Sequence, residues 1–432
     1  MDRLAIDGGT PVRTEPFPPY HTYDEKEENA VAEVIQGGIL SDFVGATGPF
    51  FFGGEKVREL EELYRLHTGA KHAVAMNSAS SVIVAAMGAF GIGPGDEVVV
   101  TPYSHVISAT APLLYDAVPV FADSEQDYYC MSVTSLERVI TPRTKAVIVV
   151  DNFGMSADID PIMELAKTHG FMVFSDSSHI TSALYKRKTA GTVAHMGCYS
   201  LNAHKTIQCG EGGIAVTDND ELALKMQMIR NHAENCVGDM EISDLTNMVG
   251  YNFRMTELEA AVAIEQKKKS ATLISSRQKL AEYLGNGLKN IDGITIPAIR
   301  KGCTHDYLLY CIKYDSSIIG ISRSEFIRRL EAEGLQSEPD SRWHVPPIYG
   351  GFVKPIHLQP VFQNKVFRPR GYPWSCNLYE GQVSYDKGIC PVVEDLYENS
   401  LICITSMYPP LTEVDMDDIC KCIDKVSSLS RR

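Results

Sequence analysis

The chain has no apolar run long enough to cross a bilayer, which argues against a membrane-spanning protein and against a membrane partner. Its first residues, Met1-Asp-Arg-Leu-Ala-Ile-Asp-Gly-Gly, hold no basic region followed by an apolar stretch, so no secretory signal is expected. Positive charge is in deficit: 40 lysines and arginines face 55 aspartates and glutamates, a net charge of −15. A nucleic-acid binder normally shows a basic patch or a high pI, so nucleic acid is not an expected partner. An anionic small substrate is still compatible, because a pocket can be basic inside an acidic protein. The 11 cysteines are scattered and lack paired metal-type spacing. The close pair Cys420 and Cys422 falls in a helical pattern. No metal is expected, and free, mostly buried thiols suit a cytoplasmic location. Internal repeats and low-complexity segments are also missing.

What is present is enough chain, 432 residues, for a large core and two domains. Residues 1–30, with Gly8-Gly9-Thr10-Pro11 and Pro16-Phe17-Pro18-Pro19-Tyr20, read as an extended arm. Short apolar strand candidates then alternate with helical patterns. Ser80–Phe90 reads as a helix, and Glu97–Val100 as a strand after the turn Gly93-Pro94-Gly95-Asp96. Lys145–Val150 is a strand, and Ile159–Thr168 a helix stopped by Gly170; Phe171–Ser175, Met196–Leu201 and Gly213–Val216 are further strands. This alternation predicts an α/β domain over 31–270, a mostly parallel sheet covered by helices. Thr256-Glu-Leu-Glu259 is a capping box opening a helix through about Asn290, and the domain boundary falls inside that helix. Residues 271–432 read as a smaller α+β domain, with a helix capped at Ser322-Arg-Ser-Glu325 and ended by Gly334, and strands at Tyr307–Tyr314 and Leu401–Ile404. Gln336–Val392, rich in proline, glycine and aromatics without regular pattern, suits a functional or mobile segment.

The chemistry concentrates around Lys205, in Ser200-Leu-Asn-Ala-His-Lys205-Thr-Ile-Gln-Cys-Gly210-Glu-Gly-Gly213. Upstream, an apolar run closes in Ser175-Asp176-Ser177-Ser178-His179. A lysine, a carboxylate at a strand end and a glycine-rich turn are what pyridoxal phosphate requires. The lysine carries the cofactor as a Schiff base, the carboxylate keeps the pyridine nitrogen protonated, and the turn lets backbone come close. To react, the lysine must be neutral, so burial or nearby positive charge has to lower its pKa. Taken singly, Lys205 also suits a surface turn, and Asp176 a helix cap. Asn77-Ser-Ala-Ser-Ser81 opens a helix whose amides suit a phosphate, although Ser78 or Ser80 serves equally as a plain cap. His105 follows a strand, where a flat ring can stack on the pyridine. Asn252 reads as a turn residue and Lys267-Lys-Lys269 as a solvated helix face. Trp343, His344 and His357 fall in the irregular segment, as loop residues or pocket lining.

Together these residues resemble the sugar aminotransferases of the DegT/DnrJ/StrS type, a branch of the aspartate-aminotransferase fold (PLP fold-type I). The resemblance runs from about Leu4 to the last helix. It rests on Leu4-Ala-Ile-Asp-Gly-Gly-Thr-Pro-Val12, Gly93-Pro-Gly-Asp-Glu-Val98, Ile140-Thr-Pro-Arg-Thr-Lys-Ala146, Ser200…Lys205…Gly210-Glu-Gly-Gly213 and Gly250-Tyr-Asn-Phe-Arg-Met-Thr-Glu257. It implies that Lys205 is the Schiff-base lysine and proton shuttle, and that Asp176 pairs with the ring nitrogen. Ser200 and the backbone of Ala79 and Ser80 hold the phosphate, and Asn252 reaches the phosphate of the neighbouring subunit in a homodimer with shared sites. His105 stands where the family has Phe or Trp, and His179 near the ring hydroxyl. Ala79 replaces a common glycine, and the segments Trp343–Gly351 and Trp374–Lys387, which help form the substrate pocket in relatives, depart from the commonest pattern. The implied function is transfer of an amino group from glutamate or glutamine to a keto-sugar, nucleotide-linked, or to a keto-cyclitol such as scyllo-inosose. The other readings are a PLP-dependent sugar dehydratase or lyase and a non-catalytic PLP-binding regulator. A dehydrating branch of the family replaces the lysine by histidine; here Lys205 is present.

Overall fold

β-Branched runs form the strands of a central sheet, and the periodic segments between them form its covering helices. The computed structural model describes residues 3–233, 237–240, 242, 244, 246–337 and 346–431. In chain order come α1 (Glu25–Gly37), α2 (Glu55–Thr68), β1 (His72–Met76), α3 (Ala79–Ala89), β2 (Glu97–Val100), α4 (Ile107–Leu114), β3 (Val118–Phe121) and α5 (Val133–Val139). They are followed by β4 (Thr144–Val150), α6 (Ile159–His169), β5 (Met172–Asp176), a hairpin of β6 (Leu184–Tyr185) and β7 (Lys188–Thr189), β8 (Met196–Ser200), β9 (Gly213–Thr217) and α7 (Asp220–Arg230). The expected elements between Ser80 and Val216 are all found, with ends shifted by at most one residue. The seven-stranded sheet has the order β1-β9-β8-β5-β4-β2-β3. Strand β9 runs antiparallel to both neighbours, and the remaining pairs are parallel.

Helix α8 (Glu257–Leu288) starts at the expected capping box, where Thr256 and Glu259 satisfy each other's amides. Its first half buries Ala260, Ala263 and Ile264 against the β1–β9 side of the large sheet. Its second half buries Leu280, Leu284 and Leu288 in a separate core. That core also contains β10 (Ile294–Thr295), β11 (Tyr310–Tyr314), α9 (Ser316–Ile319), α10 (Arg323–Ala332) and β12 (Ile348–Gly350). After the short turns α11 (Pro360–Gln363) and α12 (Pro391–Asp395), β13 (Leu401–Ile404) and α13 (Glu413–Ser430) complete it. The four strands make an antiparallel sheet, β10-β11-β13-β12.

Two expectations need correction. Strand β11 begins at Tyr310, not Tyr307, because Tyr307 takes a left-handed φ of 51° and Asp306 is engaged by the amides of residues 181–183. Lys267 is not on a solvated face: it is buried, while Lys268 is exposed and Lys269 pairs with Glu27 at 2.7 Å. The described part of Gln336–Val392 is largely anchored on the sheet edge. Tyr385 donates to the carbonyl of Pro119 on edge strand β3 at 2.6 Å, and Phe121 packs on Phe362 and Tyr385. Covering an edge strand in this way blocks pairing with other chains.

Candidate active site

In parallel sheets, loops leaving the carboxyl ends of strands converge on one side, where ligands bind. Every site residue expected from sequence except Asn252 lies at or just past such an end. Ala79 and Ser80 follow β1, His105 follows β2, Asp176 closes β5 with His179 after it, and Ser200 closes β8 ahead of Lys205. Because β9 is reversed, its first residue, Gly213, pairs with both Met76 and Ser200. Gly213 is required there: a Cβ on it would stand 2.4 Å from the Ala79 nitrogen. Ser78 caps α3 by accepting from Ser81 at 3.0 Å, which leaves the amides of Ala79 and Ser80 without an acceptor among the described residues. The first turn of α3, Gly213 and Ser200 thus form one anion-ready corner.

Lys205 sits in the loop between β8 and β9, which is closed by bonds from Ala203 to Gly210 and from Leu201 to Gly212. It lines a cavity of about 390 Å³ together with His105 and His179. Burial of its ammonium brings the pKa down to about 8, against the opposing pull of Asp176 and Cys198. A lysine at that value supplies free amine near neutral pH, which the sequence reading required. Asp176 is buried and no helix follows it. One carboxylate oxygen accepts from the Ser178 amide at 3.1 Å, and the other has no described partner.

His179 is buried and stacked on Phe153, with ring centroids 6.2 Å apart. The Phe153 amide donates to its Nδ1 at 3.1 Å, so in the neutral ring the proton resides on Nε2. Burial, then the charges of Lys205 and His105, push its pKa well below the usual range, so it is a neutral donor. His105 is also held low, first by burial and then by Lys205, while Asp176 opposes. Its ring is open to the cavity and meets the edge of Phe352.

Asn252 is not in the cavity. It is exposed, accepts from Arg254 at 2.8 Å and is bridged to Asn231. Trp343 and His344 lie outside the described residues. His357 is buried against Glu394 at 2.9 Å beneath the edge-covering segment, away from the cavity. From the irregular segment, Tyr349 and Phe352 reach the cavity; Trp374 bonds to Tyr385 at the sheet edge, and Lys387 pairs with Glu398 on the surface.

Sequence reasoning missed three contributors. Asp151 directly follows β4 much as Asp176 closes β5, so the same signal was available. Its carboxylate accepts from Ser177 Oγ at 2.5 Å, Ser175 Oγ at 3.2 Å and the Ala157 amide at 2.8 Å, which fixes the loop behind Asp176. Burial lifts its pKa to about 6 despite those bonds, and the Asp176 charge adds to the rise. The N-terminal arm is the second: Phe17 to Tyr20 wall the cavity, and Tyr20 donates to the Thr206 carbonyl, next to Lys205, at 2.6 Å. Arg277, on α8, is the third.

A primary amine of lowered pKa, a strand-end carboxylate with an open oxygen, a neutral imidazole donor and an anion-ready helix corner are the groups that pyridoxal phosphate requires; Lys205, His105 and His179 line the cavity, whereas Asp176, Ala79, Ser80 and Ser200 are not among its lining residues. A model of the DegT/DnrJ/EryC1/StrS aminotransferase family matches residues 24–424. A GDP-perosamine synthase of Caulobacter vibrioides is 30% identical, over 72% of this chain and 79% of its own. An L-glutamine:2-deoxy-scyllo-inosose aminotransferase of Streptoalloteichus tenebrarius is also 30% identical, over 76% of this chain and 78% of its own. An aminotransferase structure from Psychrobacter cryohalolentis superposes with a TM-score of 0.80 at 25% identity, covering 96% of this chain and all of that one.

Proposed function

The chain belongs to the DegT/DnrJ/EryC1/StrS aminotransferase family, and from that premise we propose that it moves an amino group from glutamate or glutamine to a keto-sugar, nucleotide-linked, in amino-sugar biosynthesis. The observation that carries the reading is Lys205, held near neutrality on the wall of a cavity beside Asp176. Pyridoxal phosphate, the cofactor the family implies, supplies an electron sink for the bond broken at the donor's α-carbon. Lys205 holds the cofactor and, as a free amine, carries the proton between donor and cofactor. The open oxygen of Asp176 keeps the ring nitrogen protonated. The amides of Ala79 and Ser80, with the Ser200 hydroxyl, receive the phosphate. His105 stacks on the ring, and the Nε2–H of His179 donates to the ring oxygen. A keto-cyclitol is the second acceptor, favoured by the inosose aminotransferase that matches as well as the perosamine synthase does.

The active unit in this reading is a homodimer. Asn231 links exposed Asn252 to the carbonyls of Val44 and Phe51, and Leu40, Val44 and Phe50 are large apolar side chains exposed on the same stretch. In this reading Asn252 reaches the phosphate corner of the second copy. All ten described cysteines are free, which suits a reducing cytoplasm. To test the function, cofactor-loaded protein is given glutamate or glutamine with a panel of nucleotide-linked keto-sugars and keto-cyclitols, and the amino product is read by mass. Loss of water from the acceptor without consumption of donor sinks the aminotransferase reading in favour of a dehydratase.

A further inference from the structure

Four carboxamide side chains are buried among the described residues, those of Asn152, Gln208, Asn231 and Gln266. Three of them donate into the fold. Gln266 donates to Glu27 at 2.7 Å and to the Thr22 carbonyl at 3.1 Å, and accepts from the Thr22 hydroxyl at 2.8 Å. Asn152 donates to the carbonyls of Tyr103 and Tyr129 at 3.0 and 2.8 Å, and Asn231 to those of Val44 and Phe51 at 2.9 and 3.1 Å. The oxygens that Asn152 and Asn231 leave unpaired are sealed in packing. Gln208 differs on both counts. It is 8% exposed, its carboxamide has no hydrogen-bond partner among the described residues, and neither of its polar atoms is sealed. It lines the cavity of Lys205. The other carboxamide of the same loop, Asn202, is occupied at both ends: it donates to Glu211 at 3.1 Å and accepts from the His204 amide at 3.1 Å. A buried amide without a partner is costly, so natural proteins satisfy it with protein, water or ligand. For Gln208 the open volume of the cavity is where that partner comes from.

We propose that Gln208 recognises ring hydroxyls of the amino acceptor and so selects for polyhydroxylated substrates; the identity of that ligand as an acceptor rests on the aminotransferase reading above. A carboxamide is neutral and offers a donor and an acceptor side by side. A hydroxyl is neutral too, and both donates and accepts, so two adjacent hydroxyls satisfy both ends of Gln208. An ionised phosphate or carboxylate only accepts and would leave the carboxamide oxygen unpaired. Reach separates the sugar ring from the nucleotide. Gln208 is the third residue after Lys205, in a loop closed by backbone bonds from Ala203 to Gly210 and from Cys209 to Leu201. Its backbone is therefore within about 10 Å of that of Lys205. The ring that carries the reacting carbonyl comes to the Lys205 amine, whereas in a nucleotide-linked acceptor a diphosphate and a ribose hold the base beyond that ring.

Polyols without a reactive carbonyl are the probes: scyllo-inositol for the cyclitol class, UDP-glucose and GDP-glucose for the nucleotide-linked class. Each is titrated calorimetrically into protein loaded with pyridoxamine phosphate, with UDP and GDP as controls. The wild type should bind at least one of the polyols. Gln208→Met keeps the length of the side chain and removes both polar ends. It should weaken that polyol about 10-fold, the usual effect of losing a neutral hydrogen-bonded pair, and leave UDP and GDP within about 2-fold. Its melting temperature should match or exceed that of the wild type, because no protein group loses a partner. In turnover the half-saturating acceptor concentration should rise, while the glutamate half-reaction, followed in single turnover by cofactor absorbance, keeps its rate. A wild type that binds none of the polyols, or a variant with unchanged polyol affinity, overturns the inference. So does a fall in melting temperature, which assigns Gln208 to the fold, or an equal loss for the nucleotides or for the glutamate half-reaction, which assigns it to the base or the donor. Should Gln208→Met fail to fold, Gln208→Glu decides: it keeps the shape without the N–H donors, about 10-fold weakening is expected, and wild-type affinity overturns. A Gln208-dependent polyol site in a protein that transaminates nothing refutes the function and leaves the site standing. Transamination with a polyol affinity indifferent to residue 208 refutes the site and leaves the function.

Discussion

Among the described residues two lysines have lowered pKa values, half-buried Lys205 and buried Lys267, and a cavity opens in front of Lys205. Lys205 is brought to about 8 and Lys267 to about 7, in both cases by burial first. Each has an aspartate nearby that pulls the other way, Asp176 for Lys205 and Asp306 for Lys267. The surroundings then diverge. Lys267 spends a proton on the Thr181 carbonyl at 3.1 Å and lies over the Tyr64 ring at 4.9 Å, inside the packing of α8. Asp306 takes the amides of Thr181, Ser182 and Ala183 on one oxygen, and its other oxygen is sealed in the packing without a hydrogen-bond partner. Lys205 faces open volume, and Asp176 keeps one oxygen free. A perturbed pKa therefore marks a functional residue only when the geometry leaves it something to react with.

Replacing the two lysines gives the widest separation. Lys205→Ala should cost on the order of 10⁴-fold or more in turnover, because both cofactor attachment and proton transfer are lost. Borohydride should fix cofactor to Lys205 and to no other lysine, as read by peptide mapping. Lys267→Met should keep turnover within about 3-fold, since nothing it touches reaches the cavity. Label on Lys267, or comparable rate losses in both variants, would erase the distinction.

The aspartates give the second contrast. Asp176→Asn keeps shape and removes charge, and should slow both half-reactions by roughly 10²- to 10³-fold with little change in melting temperature. Asp306→Asn should do the reverse: about 1–3 kcal/mol of stability lost with its three charged hydrogen bonds, and turnover per folded molecule retained. An Asp176→Asn enzyme with near-normal rates would leave the ring nitrogen to another partner.

How far the sequence reached follows the same division. Strand ends, capping boxes and the Lys205 loop were legible because each is written locally, in β-branched runs, in Thr256 with Glu259, and in the glycines around Lys205. Asp151 was legible in kind, an acid closing an apolar strand, and was overlooked. Arg277 and Lys267 were not legible. Their burial is decided where α8 passes between two cores, and a charged residue in a helix carries no local sign of what will cover it. The one hint is Arg277 standing in the stripe Leu273, Leu280, Leu284 that faces inward. The arm was legible as extended chain up to Asp24, where α1 takes over the last of the 30 residues assigned to it, but its role as cavity wall depends on contacts hundreds of residues away, such as Tyr408 donating to the Pro18 carbonyl at 2.8 Å.

The smallest effect separates the lysines by pH. Lys267 titrates at about 7 in the folded protein and near 10.5 when unfolded. Between those values the unfolded chain binds more protons than the folded one, so stability rises with pH across that window. Below about pH 7 the cost of burying this ammonium is constant, and above about 10.5 it is gone. Its full size is on the order of a few kcal/mol. Methionine at 267 has no proton to bind, so the variant lacks this slope. The melting temperature of Lys267→Met relative to wild type should therefore drift downward from pH 7 to pH 10, whatever the offset at pH 7 from losing the Thr181 bond. His67, beside Lys267 and itself lowered to about 4, titrates outside that window and does not blur the comparison. Measurement on cofactor-loaded protein removes the matching contribution of Lys205, which is then occupied. Parallel melting curves for the two proteins across this range would show that Lys267 keeps the ordinary lysine pKa and is solvated after all, and the contrast between the two lysines would then rest on the cavity alone.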